Sequence, residues 1–159
     1  MSVQQGPLDL RELGGSTCVV TGCANGGIGW GLAKHAASLG MDVALVDLHE
    51  HLVERARDQL LELYPQARAV AIQCDVADEK SVAACAAAVE RELPGQRIGA
   101  CFANAGVIFN KTVLRSSIED FRLTFNVNVM GVVNCMQAFV PLMQRSELPS
   151  LMVSTASIG

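Results

Sequence analysis

Short apolar or β-branched runs alternate with longer segments of helical period along this whole 159-residue chain. A strand covered on both faces reads as a continuous apolar run, and intervening helices supply the cover. The pattern therefore predicts an α/β fold, a doubly wound, mostly parallel sheet with helices on both faces. Strands are predicted at residues 17–21, 42–47, 67–75, 98–104 and 151–154, and helices at 27–39, 49–63, 79–93 and 117–145. Gly40, Pro65, the Pro94-Gly95 pair and Pro149 stand where helices must stop. With no linker, repeat or low-complexity stretch, residues 1–159 are expected to form a single domain, a length that suits one core.

Half of the residues are hydrophobic and 18% are charged, which excludes disordered and disulfide-scaffold classes. The net charge of -4 comes without a basic run, so neither nucleic acid nor an anionic membrane is an expected partner. A small soluble ligand fits better. The six cysteines, Cys18, Cys23, Cys74, Cys85, Cys101 and Cys135, show no C-x-x-C spacing and fall mostly inside apolar runs. They read as buried reduced thiols, with no metal site. Residues 1–11 lack a signal-peptide layout, and no apolar run approaches bilayer-spanning length, so a cytoplasmic protein is expected.

Within residues 117–145, Phe121, Phe125, Val129, Met130, Val132, Val133, Met136, Phe139 and Val140 leave little polar face. Such a helix needs cover on both sides. The sheet can provide one side, and a further helix or another subunit must provide the other.

The chemistry begins where the first strand runs through Gly22-Cys23-Ala24-Asn25-Gly26-Gly27-Ile28-Gly29 into a helix. Glycines allow close backbone approach, and the helix amino terminus offers free N–H groups and a positive dipole end to a pyrophosphate. A P-loop is excluded, because Ile28-Gly29-Trp30 stands where Lys-Ser or Lys-Thr would be needed. A methyltransferase-type nucleotide domain usually has an acidic residue closing its first strand, and here that residue is Thr21. Asp47, 18 residues beyond Gly29, closes the second strand at the place of a carboxylate that accepts from adenosine ribose hydroxyls. Asp47 and the adjoining Leu48 thus join the expected cofactor residues. Such a carboxylate repels a 2′-phosphate, and no Arg or Lys lies in the glycine turn or just after Asp47, so NAD is the expected cofactor over NADP. The alternative for Asp47 is a helix-capping carboxylate.

Five segments together resemble the short-chain dehydrogenase/reductase family. They are Thr21-Gly22-x-x-x-x-Gly27-Ile28-Gly29, Cys74-Asp75-Val76, Asn104-Ala105-Gly106, Asn128 within Asn126-Val127-Asn128-Val129-Met130-Gly131, and Ser154-Thr155-Ala156-Ser157-Ile158-Gly159. The resemblance covers essentially the whole chain. It implies a Rossmann-like fold and an NAD-dependent oxidoreductase moving a hydride between nicotinamide and an alcohol or carbonyl substrate. By the same resemblance, Gly22, Asn25, Gly27, Ile28 and Gly29 take the pyrophosphate, and Asp75 with Val76 holds the adenine. Asn104, Ala105 and Gly106 form a turn that steadies the sheet and lines the cofactor. Asn128 is similar to a catalytic asparagine that anchors a water in a proton relay, and Ser157 matches the serine that hydrogen-bonds the substrate oxygen. Asp75 also reads as a helix cap, and Ser157 as a loop hydroxyl. Homo-oligomers, dimers or tetramers built on the 117–145 helix, are implied as well.

Two departures qualify this. The glycine turn holds four residues between Gly22 and Gly27 where the family usually has three, so a slightly widened turn is expected. The family's Tyr-x-x-x-Lys lies downstream of Ser157, and the only tyrosine here is Tyr64, so the chain by itself is expected to be inactive. The competing functions are a non-catalytic NAD-binding or interaction module and a methyltransferase-like nucleotide domain. His35, His49 and His51 have no evident catalytic partner, and Trp30 reads as a packing residue.

Overall fold

A computed structural model of the chain describes residues 10–24 and 26–156. Five strands, β1 (Thr17–Thr21), β2 (Asp42–Asp47), β3 (Ala69–Gln73), β4 (Ile98–Ala103) and β5 (Leu151–Ser154), form one sheet in the order β3-β2-β1-β4-β5. Every neighbouring pair is parallel. The chain winds outward from β1 to β3, crosses back beside β1 as β4, and winds out again to β5. The order therefore reverses between β1 and β4, and a ligand crevice is expected there, outside the strand carboxyl ends.

Helices α1 (Ile28–Ser38) and α2 (Glu50–Leu63) are associated with one face, α3 (Glu79–Glu92) and α5 (Gly131–Met143) with the other. Alternation along each strand sends Val19, Val46 and Cys101 into the α3/α5 core and Cys18, Val20 and Leu45 into the α1/α2 core. All six cysteines are free and buried. The predicted third strand proves shorter at both ends. Ala67 is held in a turn by its N–H bond to the Tyr64 carbonyl, and the Asp75 N–H turns aside to the Ser81 hydroxyl.

The predicted 117–145 helix is α4 (Ile118–Phe125), one π-helical turn (Asn126–Met130) and α5, with Pro141 tolerated inside the last. Ser117 and Asp120 form a capping box at its start, each side chain accepting the other's backbone N–H. This helix corrects one sequence expectation. Ile118–Met143 spans 26 residues and contains an 18-residue stretch of mean hydropathy 1.3, long and apolar enough by length and composition alone to cross a membrane, although polar residues such as Asn126, Asn128 and Asn134 interrupt its apolar runs. In the fold, Asn134, Cys135, Phe139 and Met143 are buried. Phe121, Phe125, Val129, Met130 and Met136 are exposed.

Candidate functional site

Most of the residues singled out for cofactor binding converge on a cavity of about 470 Å³ at the carboxyl ends of the strands, whereas Gly29 is buried and does not line it. Gly22, Gly27 and Ile28 line it from the glycine turn, Asp47 and Leu48 from the end of β2, Asp75 and Val76 after β3, and Asn104, Ala105 and Gly106 after β4. These segments are far apart in sequence and meet because every strand of a parallel sheet ends on the same edge. Asn25 and Ser157, both predicted site residues, lie outside the described residues.

Three of the four glycines of the turn differ in their physical reasons. Gly22 has φ +69°, and a Cβ there would stand 2.7 Å from the Ala105 Cα, so a side chain would force apart the turns after β1 and β4. At Gly29 a Cβ would stand 2.4 Å from the Gly22 carbonyl oxygen and 2.7 Å from Asn104 Nδ2, so this glycine lets α1 start directly against the turn. Gly27 differs, because a Cβ there meets nothing within 4 Å. It faces the opening. Gly27 is also the N-cap of α1 and supplies no side-chain cap, so among the described residues no side chain caps the first-turn N–H groups beside the cavity. Gly26, also in the turn, takes φ +70°. A phosphate-bearing ligand fits this open, uncapped helix start.

Asp47 is held by the turn it faces. Its Oδ2 accepts the Ala24 N–H at 3.0 Å and its Oδ1 accepts the His49 N–H at 3.4 Å. Each carboxylate oxygen keeps a further acceptor position. The helix-cap alternative fails here, since the N-cap of α2 is His49. For Asp75 it fails as well: Asp78 caps α3 by accepting the Lys80 N–H, while Asp75 Oδ1 accepts the Ala77 N–H at 2.9 Å.

Asn104 ties three strand ends together. Its Nδ2 donates to the Thr21 carbonyl at 3.0 Å and the Gly22 carbonyl at 3.1 Å, and its Oδ1 accepts from the Thr155 hydroxyl at 2.9 Å. Thr21 Oγ1 in turn accepts the N–H groups of Asn104 and Ala105, both at 3.0 Å. Asn128, in the π turn, clamps the loop after β4: its Oδ1 accepts the Val107 N–H at 2.8 Å and its Nδ2 donates to the Val107 carbonyl at 2.9 Å. This partner was not foreseen from the sequence.

The structure adds Val46, His49, Cys74, Val107, Val127 and Thr155 to the cavity wall. The neighbours of recognised motif residues, Val46, His49, Cys74 and Val107, could have been found by adjacency, whereas Val127 depends on how the π turn is oriented. Hydrogen bonding from Cys85 and from Ser81 holds the Cys74 thiol below its ordinary value, and Cys85 is pushed well up. Burial pushes Cys23, beneath the turn, up to about 12. Tyr64 caps the carboxyl end of α2 and is not part of the cavity wall. Trp30 packs against the α1/α2 core with Lys34 Nζ 5.7 Å from its ring. Among the described residues no group of three or more His, Cys, Asp or Glu side chains is placed to hold a metal ion.

A family model described as Enoyl-(Acyl carrier protein) reductase matches residues 22–159. Meso-2,3-butanediol dehydrogenase of Serratia marcescens is 32% identical over 141 residues, covering 89% of this chain and 53% of that protein. C alpha-dehydrogenase of a Sphingobium strain is 29% identical over 150 residues, covering 94% and 48%. Among solved structures, a short chain dehydrogenase/reductase from Burkholderia phymatum in complex with NAD superposes with a TM-score of 0.84 at 33% identity, covering 92% of this chain and 50% of that one. L-Sorbose reductase from Gluconobacter frateurii, complexed with NADPH and L-sorbose, gives 0.81 at 26% identity, covering 91% and 53%. The chain spans about half the length of the relatives it matches.

Proposed function

Because the chain belongs to the short-chain dehydrogenase/reductase family, we propose that its cavity binds NAD(H) and that the protein moves a hydride between nicotinamide and the carbon of a small alcohol or carbonyl substrate. The observation that carries this reading is the convergence of the uncapped glycine turn, Asp47, Asp75-Val76 and Asn104-Ala105-Gly106 on one cavity. When bound, the dinucleotide supplies the hydride donor or acceptor. Gly22, Gly27 and the first N–H groups of α1 hold its pyrophosphate. Asp47 accepts from the adenosine ribose hydroxyls, and Asp75 with Val76 flanks the adenine. Asn104 keeps the β1 and β4 turns at the spacing the cofactor needs.

NAD is favoured over NADP, because the Asp47 carboxylate is fixed at the rim by the Ala24 and His49 N–H groups and no Lys or Arg lines the described cavity wall. Asn128 and Ser157 are assigned to the substrate side, Asn128 by steadying the loop at Val107 beside the cavity. A polypeptide of residues 1–159 alone is proposed to be catalytically silent, since no tyrosine lines the described cavity to act as general acid/base. Self-association, as a dimer or tetramer, is proposed through the exposed apolar face of Ile118–Met143. Six unpaired thiols suit a reducing, cytoplasmic location.

Titration calorimetry with NADH and NADPH tests the cofactor reading. Tighter binding of NADH supports it, and binding of neither dinucleotide refutes it. Binding of S-adenosylmethionine instead would favour the methyltransferase-like alternative.

A further inference from the structure

The inner face of α5 carries one polar side chain among its buried residues. Asn134 is 7% exposed, and its Nδ2 donates to the Val76 carbonyl at 2.8 Å across 58 residues of sequence. A buried amide without a partner is unfavourable, so this bond satisfies two groups at once. One turn earlier, Gly131 lies beneath the Val76 side chain, where a Cβ would stand 2.8 Å from Val76 Cγ2. Helix α5 thus grips Val76 at both its side chain and its carbonyl. The shape of the 75–77 turn is set from elsewhere, by Asp75 Oδ1 accepting the Ala77 N–H and by the Asp75 N–H donating to Ser81 at the start of α3. Helix α5 adds the Asn134 bond and the Gly131 contact to these ties.

Val76 and Asp75 line the cavity from beyond the end of β3, at one edge of the sheet, and Gly106 and Thr155 from beyond β4 and β5, whereas Asn134 does not line it. We propose that Asn134 is a positioning residue for the adenine half of the dinucleotide, holding the Asp75-Val76 turn at the depth the base requires through its bond to the Val76 carbonyl. The proposal rests on the cofactor reading above. Its consequence is selective, because loss of the bond lets the adenine wall shift while the turns after β4 and β5, tied by Asn104, stay in place.

The test is binding of NADH, AMP and nicotinamide mononucleotide to the intact protein, comparing the unsubstituted chain with Asn134→Leu and Asn134→Asp. Asn134→Leu should weaken NADH and AMP by about five- to fiftyfold, the scale of a lost buried hydrogen bond, and leave nicotinamide mononucleotide unchanged. Asn134→Asp carries the test even if the leucine variant fails to fold. Its carboxylate cannot donate to the Val76 carbonyl at pH 8, but its protonated form can, so AMP affinity relative to the unsubstituted protein at the same pH should recover toward pH 5. Unchanged AMP affinity in the variants, or equal losses for AMP and nicotinamide mononucleotide, would overturn the proposal alone. An unsubstituted protein that binds neither NADH nor AMP would overturn the cofactor reading and this proposal with it.

Discussion

Replacing Asn104 by Ala removes a side chain that joins the ends of β1, β4 and β5. Two donated bonds to the Thr21 and Gly22 carbonyls and one accepted from Thr155 disappear, while the backbone bonds from Asn104 and Ala105 to Thr21 Oγ1 remain. At about 1 kcal/mol for each hydrogen bond, the loss is about 3 kcal/mol, a large share of the roughly 5–15 kcal/mol that holds a domain folded. For a chain of this size that lowers Tm by about 6–12 °C. Urea and thermal unfolding monitored by circular dichroism measure it directly. Thr155→Val deletes one of the three bonds and should cost about a third as much. Asn104→Asp should be at least as damaging as Asn104→Ala, because it keeps the acceptor for Thr155 and turns a carboxylate toward two carbonyls. NADH affinity should fall along with stability in Asn104→Ala, since the same bonds set the spacing of the cofactor turns. A loss below about 0.5 kcal/mol for Asn104→Ala, or a Thr155→Val loss equal to it, would refute the assignment of Asn104 as the tie between strand ends.

Asp47→Ala should relax the preference for NADH over NADPH by about 1–3 kcal/mol, read by calorimetry with both dinucleotides; an unchanged ratio would remove Asp47 from the ribose site. Phe125→Glu combined with Met136→Glu, at positions 54% and 46% exposed, should convert an associating protein to monomers in sedimentation, with unchanged association ruling out this helix face. Burial pushes the thiols of Cys18, Cys23 and Cys135 up from 9.0 to about 12, so the unfolded chain releases these protons first as pH rises. Their contribution to stability is complete below pH 9 and declines toward pH 12, by about 1.4 kcal/mol per pH unit for each thiol. Urea midpoints should therefore fall between pH 9 and 11, less steeply in Cys18→Ala, and a flat profile would show that these thiols ionise alike in both states.

What the sequence determined by itself is what depends on neighbours along the chain. Strands β1, β2 and β5 are bounded as their apolar runs predict, and the glycine turn lies between a strand and a helix because a sharp change of direction there needs backbones without Cβ atoms. Asp47 could be singled out from its place at the end of a strand, and Asp75 and Asn104 from the family resemblance; the three meet because the carboxyl ends of parallel strands share one edge of the sheet. Tertiary structure decided the rest. Asn104 meets Thr21 across 83 residues, Asn134 meets Val76 across 58, and Asn128 closes on Val107 through a π turn that no periodicity marks. The apolar helix likewise divides into a buried face at Cys135 and Phe139 and an exposed one at Phe121 and Phe125 only once the sheet stands on one side of it. The physical reason is common to these cases. Hydrophobic period fixes which residues can be buried, but a buried amide finds its partner only where register, twist and helix packing bring one carbonyl within about 3 Å of it.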